Sequence, residues 1–112
     1  MKIVNVKDVK IADTVHQVAV KKLFNFEHAT IVHIELKSGE ALKRHLTPVD
    51  AFFYVLEGNG IVEIGKEREE IHKDQLIFSP AKISHILANE SDDVFRFLVI
   101  KTPTPTSETK IL

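Results

Sequence analysis

The feature that most constrains the fold is a hydrophobic alternation with a period of two residues. In "IVHIELKSG" (31–39), Val32, Ile34 and Leu36 fall on one face, and charged or polar residues separate them. Successive side chains of a β-strand point to opposite faces, so this pattern predicts a strand with one buried face. A helix would need a period of 3.6 residues, which this segment lacks.

Turn-forming residues divide the rest of the chain into short segments of the same kind, at Ser38-Gly39, Gly58-Asn59-Gly60, Gly65-Lys66, Lys73-Asp74 and Ser91-Asp92-Asp93. Between these turns lie runs that are rich in aromatic and β-branched residues and apolar on both faces, at 51–58, 75–80 and 94–101. Further strands are predicted near 2–6, 15–21, 41–46 and 84–89. About nine or ten short strands at this spacing predict an all-β sandwich or barrel.

Two segments call for a choice between structures. "GIVEIGKEREEI" (60–71) is typical of a hairpin, with an apolar strand before Gly65 and a charged, exposed strand after it. Segment 9–24 admits apolar residues at helical spacing, but Val18 and Val20 alternate with polar neighbours. We therefore favour a strand there.

Composition bounds the size and the class of protein. A chain of 112 residues with 44% hydrophobic and 28% charged residues is typical of one globular domain, which we place at 1–101. Residues 102–112, with "TPTPTSETK", predict an extended, solvated tail whose last residues, Ile111 and Leu112, are able to dock.

Charge and cysteine content exclude several functions. The net charge of -1 argues against nucleic acid as a partner, and no apolar run reaches the roughly 18–20 residues of a membrane span. The chain contains no cysteine, which excludes disulfides and thiolate metal sites. "MKIVNVKDVK" lacks the apolar stretch of a signal peptide, so a cytoplasmic location is expected.

Strands that are apolar on both faces need cover outside the barrel as well as inside it. Phe52, Tyr54 and Leu56 fall on the face opposite to Phe53 and Val55, and we assign them to the outside of the barrel. A second copy of the chain would bury them, so the sequence predicts a homodimer.

The six histidines fall into two groups. A surface role is expected for the four that stand near turns or in polar stretches, which are His16, His28, His33 and His72. His45 and His85 instead follow turns and lead into short strands, which would bring both imidazoles to the mouth of a small barrel.

The spacing around these two histidines resembles both motifs of the cupin family. In the first motif, G-x5-H-x-H-x3,4-E-x6-G, Gly39, His45 and the closing "YVLEG" with Gly58 match. In the second, G-x5-P-x-G-x2-H-x3-N, the matching residues are Pro80, His85 and Asn89, while Asp74 and Lys82 replace the two glycines. The resemblance implies a small cupin-type barrel, a double-stranded β-helix of the jelly-roll kind.

The same resemblance implies a metal site of three histidines and one glutamate. Carried over by position, the ligands would be His45, Thr47, Ala51 and His85, so two of the four are kept and the only anionic ligand is lost. Two neutral imidazoles hold Fe²⁺ or Mn²⁺ poorly, and zinc, nickel or copper would be retained better. We therefore expect no cofactor or a weakly bound divalent metal.

Asp50 is the one carboxylate next to the vacant position. Neighbours in a regular strand point to opposite faces, so Asp50 would face away from Ala51 unless a bulge after Pro48 turned it inward. The alternative is that Asp50 caps the turn that follows Pro48.

Strand alternation also predicts the lining of a pocket, which consists of Lys43, His45, Thr47, Ala51, Phe53 and His85. An apolar well with two imidazoles at its rim suits a small organic ligand. Three functions stay open: a ligand-binding module with an incomplete metal site, a metal-dependent or acid–base enzyme of the oxygenase or isomerase type that uses His45 and His85, and an interaction protein with a filled barrel.

Overall fold

The computed structural model of the protein describes residues 1–107 and 110–112. Its described residues form ten strands and one 3₁₀ turn, Val6–Asp8. The strands are β1 (Ala19–Phe26), β2 (Ala29–Leu36), β3 (His45–Leu46), β4 (Asp50–Glu57), β5 (Asn59–Ile64), β6 (Glu67–His72), β7 (Leu76–Ser79), β8 (His85–Ala88), β9 (Phe95–Thr102) and β10 (Lys110–Ile111). Over these residues, no helix is long and apolar enough to cross a lipid bilayer.

The strands form two five-stranded sheets in the orders β1-β2-β9-β4-β7 and β10-β3-β8-β5-β6, and every pair within them is antiparallel. The jump from β2 to β9 and back to β4 is the crossover expected of a jelly roll. The predicted all-β, double-stranded β-helix architecture is confirmed.

The core lies between the sheets and follows the alternation of the sequence. In β4, Ala51, Phe53 and Val55 are buried, whereas Phe52 and Tyr54 between them are only half-buried. The buried hydrophobic residues are Val20, Ile34, Leu36, Leu42, Ala51, Phe53, Val55, Val62, Ile71, Leu87, Phe95, Phe97 and Val99. The predicted assignment of Tyr54 to the outer face agrees with its hydroxyl, which donates to Asp74 Oδ1 at 3.0 Å.

Three predicted strands differ from the structure. The strand predicted at 2–6 is wrong, because none of these residues is in a strand and Val6–Asp8 is a 3₁₀ turn. The segment contacts β1 through side chains instead, since Lys21 Nζ donates to the Val6 carbonyl at 2.9 Å. The strand predicted at 15–21 begins only at Ala19, after a turn in which Gln17 has a φ of 57°. The strand predicted at 41–46 shortens to His45–Leu46. In the described part of the chain, the backbone of 41–44 pairs with β8 through an isolated bridge at Ala41 and a hydrogen bond at Leu42, which do not make a continuous ladder.

The two residues that depart from the second cupin motif keep the backbone conformation of the glycines they replace. Asp74 and Lys82 occupy the motif's two glycine positions, and their φ angles are 68° and 65°. Glycine adopts this left-handed region without steric cost, which explains why the motif prefers it there. The chain keeps the backbone geometry of the motif with different residues.

The end of the C-terminal tail packs against the second sheet. Lys110–Ile111 pairs with β3, where Ile111 lies opposite His45, and the Leu112 N–H donates to the Arg44 carbonyl at 3.0 Å. Residues 108 and 109 of the tail lie outside the described residues. The final strand thus runs alongside the short strand that carries His45.

Candidate functional site

His45 and His85 are cross-strand partners on β3 and β8, as the motif spacing predicted for a shared site. They form the register pair that joins the two strands, and their side chains point into the barrel with 5% and 0% exposure. Their Nε2 atoms are 2.8 Å apart, and the ring planes meet at 89°. Phe53 packs edge-on against His85 at 5.1 Å.

The hydrogen bonds around this pair fix the tautomer of each ring. A carbonyl oxygen can only accept, so His45 Nδ1 carries the proton in its 2.7 Å bond to the Lys43 carbonyl. Neutral His45 then accepts at Nε2, so His85 must donate from its own Nε2. His85 Nδ1 is left as an acceptor, and the Ser79 hydroxyl donates to it at 2.9 Å. We call Ser79, His85, His45 and the Lys43 carbonyl the hydrogen-bonded chain.

Burial keeps both rings neutral at physiological pH. Desolvation, with smaller effects from His45, Lys101 and His16, lowers the pKa of His85 to about 3. Desolvation also lowers the pKa of His45, although its bond to the Lys43 carbonyl acts in the opposite direction. A buried imidazolium would lose its hydration without gaining an anionic partner, which is why the neutral form is favoured.

The remaining residues of the implied metal site supply little to a metal ion. Ala51 has no donor atom, and it is fully buried opposite Ser79 in the β4–β7 register. Thr47 is also fully buried, and its Oγ1 has no hydrogen-bond partner among the described residues. Asp50 does not turn inward: its carboxylate is exposed and accepts the Ala81 N–H at 2.9 Å, so it caps a turn.

The donor set does not fit the metal that the family's motif implies. Two ligands of a tetrahedral Zn²⁺ at about 2.0–2.1 Å would place their nitrogens about 3.3 Å apart. The 2.8 Å between the Nε2 atoms of His45 and His85 is instead the length of a hydrogen bond. In the part of the chain that the structure describes, no group of three or more His, Asp or Glu side chains could hold a metal ion.

A cavity of about 140 Å³ lies beside His45 inside the barrel. Its polar lining comes from Thr14, His16, His45 and Lys101. Its apolar lining consists of Val20, Val32, Ile34, Leu42, Phe53 and Val99. The barrel is therefore not filled by its own side chains at this point.

The predicted pocket residues divide between this cavity and its surroundings. His45 and Phe53 line the cavity, and His85 stands behind His45 in the hydrogen-bonded chain. The side chain of Lys43 is exposed, and the neighbouring Leu42 lines the cavity in its place. The backbone carbonyl of Lys43 belongs to the hydrogen-bonded chain. Thr47 and Ala51 are buried without contributing to the lining among the described residues.

The sequence interpretation missed His16 and Ser79. The surface role predicted for His16 is wrong, because its ring packs 4.9 Å from His45 and lines the cavity. Burial, with smaller contributions from His45, Lys101 and Lys43, lowers the pKa of His16 to about 4. His16 lies in a turn, so no hydrophobic periodicity in the sequence indicates which way its side chain points. Ser79 did carry a signal, because alternation in β7 places it on the inward face with Ile77.

The other three histidines confirm two predictions and contradict one. His28 and His72 are exposed, as predicted. The surface role predicted for His33 is wrong: it is 3% exposed, and its Nε2 accepts from Arg96 at 2.9 Å. That arginine is in turn paired with Glu57 at 2.7 Å, so a charged pair covers the ring.

Comparison with known proteins agrees with this fold. An uncharacterized protein of Methanocaldococcus jannaschii is 26% identical over 87 residues, which cover 77% of this chain and 75% of the relative. The crystal structure of TT1209 from Thermus thermophilus superimposes with a TM-score of 0.80 at 29% identity, covering 94% of this chain and 100% of that one. The polyketide cyclase RemF of Streptomyces resistomycificus gives a TM-score of 0.85 at 21% identity, covering 100% and 85% of the two chains.

The match to a protein family is direct. The cupin domain family matches residues 32–101, which is more than half of the chain and spans both motifs and the strands between them. That region contains the histidine pair and the positive φ angles at Asp74 and Lys82, together with strands of both sheets. The chain belongs to the cupin domain family.

Proposed function

We propose that this protein binds a small organic ligand inside its barrel without a tightly held metal. The observation that carries the proposal is the cavity of about 140 Å³, lined by six apolar side chains and by His16, His45, Lys101 and Thr14. A cavity of this size holds a molecule about as large as benzene. Apolar walls with a few polar groups are the usual composition of a ligand site.

The hydrogen-bonded chain favours binding over catalysis. Both ring nitrogens of His45 and of His85 are engaged, so neither ring can take a proton from a substrate without breaking an existing hydrogen bond. The 2.8 Å between their Nε2 atoms is a hydrogen-bond length, shorter than the separation of about 3.3 Å between two nitrogens on one tetrahedral Zn²⁺. The site is thus best described as an incomplete metal site whose remaining ligands bond to each other.

The rival functions are supported less well. A filled interaction barrel would not leave the cavity beside His45. The likeness to a polyketide cyclase supports the shared fold and brings no reaction to this chain, because one fold hosts many activities. A cytoplasmic location stays a prediction from the sequence.

Binding can be tested with probes of about seven non-hydrogen atoms, which match the cavity volume. Isovalerate, isovaleramide and phenol would be titrated by calorimetry into protein that was purified without added metal and treated with a chelator. We expect at least one probe to bind and to raise the melting temperature. Val32→Phe, which fills the cavity wall, should abolish binding, whereas Val15→Phe at a position that is 59% exposed should not.

Two results would contradict the proposal. One is that no probe binds to the wild-type protein although it is folded. The other is that binding appears only after Fe²⁺, Mn²⁺, Ni²⁺ or Zn²⁺ is added, with near-stoichiometric metal that is lost in His45→Ala. The first result would show that the cavity does not bind these ligands, and the second would show that binding requires a metal.

A further inference from the structure

The cavity beside His45 meets solvent on one side only of its described lining. Six of its ten described lining residues are at most 5% exposed, namely Val20, Ile34, Leu42, His45, Phe53 and Val99. The other four, Thr14, His16, Val32 and Lys101, are half-buried. A ligand must therefore enter where these four residues lie, and two of them belong to one short turn.

That turn, residues 13–17, covers the half-buried side of the cavity. Thr14 and His16 line the cavity, whereas the other three side chains of the turn are exposed. The turn is anchored at both ends, because Ala12 forms a bridge to β1 and Val18 packs against the core. We call residues 13–17 the cavity gate.

His16 fastens the cavity gate to the barrel. Its Nδ1 accepts the Lys43 backbone N–H at 3.1 Å, and its ring lies 4.9 Å from that of His45. Among the described residues, this is the one hydrogen bond that ties residues 13–17 to another part of the chain. Breaking it would leave the gate held by the packing of His16 and by its two anchored ends.

The closed gate contains two features that are unfavourable in free energy. Thr14 Oγ1 is buried without a hydrogen-bond partner among the residues that the structure describes, and contact with water would satisfy it. Gln17 has a φ of 57°, a left-handed conformation that is strained for a residue with a side chain. Opening would relieve both, so it costs less free energy than the opening of an unstrained turn with all its polar groups paired.

We propose that residues 13–17 swing away from the barrel to admit a ligand to the cavity, and that the hydrogen bond between His16 and Lys43 latches them closed. This inference rests on the proposed ligand-binding function and adds the route by which a ligand enters. Such a gate shields a bound ligand from water and makes both its entry and its exit depend on opening.

Amide hydrogen exchange, measured by NMR on the ligand-free full chain, tests the latch. In His16→Ala the Lys43 N–H should exchange at least about fivefold faster than in the wild type, which is the factor that one ordinary hydrogen bond contributes. His16→Asn, whose side-chain oxygen replaces Nδ1 as the acceptor, should restore most of the protection. The Ala12 N–H, which donates to the Val20 carbonyl outside the gate, should keep its rate in both variants.

Thr14→Val separates movement of the gate from the loss of one bond. It keeps the bond between His16 and Lys43 and removes the unmet hydroxyl, so the closed state becomes more stable. The Lys43 N–H should then exchange more slowly than in the wild type, whereas a variant that merely loosened the turn would make it exchange faster. Val15→Thr, at a gate position that is 59% exposed, should leave the rate unchanged.

Phenol, replaced by isovalerate if phenol does not bind, extends the test to ligand entry. Its association and dissociation rates should both be at least about fivefold higher in His16→Ala than in His16→Asn, because the two variants differ in the latch. Equal rates in these variants, or Lys43 exchange that is not slowed by Thr14→Val, would overturn the gate. If His16→Ala does not fold, Thr14→Val decides. Failure of both probes to bind the wild type would contradict the ligand-binding function, and the exchange rates would still decide the gate.

Discussion

At the scale of single residues, the neutral imidazoles of the site make the fold sensitive to acid. Burial lowers the pKa of His85 to about 3 and that of His16 to about 4, while both side chains titrate near 6.5 in the unfolded chain. Between pH 6.5 and 4 the unfolded state therefore binds more protons than the folded state. The free energy of unfolding should fall as the pH falls through this window, and it should be level above about pH 7.5.

His85 allows a clean measurement, because it is fully buried. Urea unfolding at a series of pH values should give a slope with a contribution of about 1.4 kcal/mol per pH unit from this residue. We expect His85→Gln to have a shallower slope than the wild type, and His28→Gln, which alters an exposed ring, to keep it. An unchanged slope in His85→Gln would mean that His85 is already charged in the folded protein.

Single residues also show where sequence reasoning ends. The pairing of His45 with His85 could be predicted, because motif spacing and strand alternation both act along the chain. The contact of His16 with His45 could not, since it joins residues 29 positions apart through a turn without a period. His33 was misplaced for the related reason that Arg96, a partner distant in sequence, covers a face that alternation assigns to solvent.

At the scale of elements, the turn between β4 and β5 depends on Gly58. Its φ is 80°, and a Cβ there would overlap the Val94 carbonyl oxygen, which belongs to the backbone and cannot move aside. Gly39 has a similar φ of 84°, but no atom lies within 4 Å of its virtual Cβ. The two glycines open and close the same motif, so they form a matched pair.

We expect Gly39→Ala to cost about 1 kcal/mol of stability, from the positive φ alone. Gly58→Ala should cost at least about 2 kcal/mol more, because overlap is added to the same backbone strain. Chemical denaturation of the two variants measures the difference. Equal losses of stability in the two variants would show that the backbone around Val94 shifts to accommodate a Cβ at position 58.

The elements differ in how far alternation predicts them. β2, β9 and β4 lie side by side in the first sheet. Period-two alternation predicted β2, and runs rich in aromatic and β-branched residues predicted β4 and β9. β3 is held by one residue pair to β8 and by β10 from the far end of the chain, so its length depends on contacts that no local pattern contains. The segment 2–6 has the pattern of a strand but forms no backbone ladder, and its contacts with β1 are made by side chains such as Lys21, which donates to the Val6 carbonyl.

At the scale of the whole molecule, the outer face of the first sheet is apolar across four strands. One register row runs Ile31–Ile100–Phe52–Phe78, and the neighbouring row contains Leu98, Tyr54 and Leu76. Leu76 and Phe78 are 61% and 51% exposed. We propose that a second copy of the chain covers this face, because a homodimer would bury such a patch symmetrically.

Sedimentation at micromolar concentration should therefore give the mass of two chains. Phe78→Glu should shift the protein to a single chain by placing a charge in the apolar row. Phe26→Glu is the control, since Phe26 is 45% exposed and lies on β1, the edge strand farthest from β7 in this sheet. A single-chain mass for the wild type, or dissociation by Phe26→Glu alone, would contradict the assignment of this face.

The positions of the protons on His45 and His85 decide whether these rings bond to each other or to a metal, and long-range ¹H–¹⁵N spectra of histidine-labelled protein report them. At pH 7.5 we predict that His45 carries its proton on Nδ1 and His85 on Nε2, with spectra that do not change on adding a chelator. The contradicting result is that both Nε2 atoms have the shifts of metal-bound nitrogen and that chelation alters them.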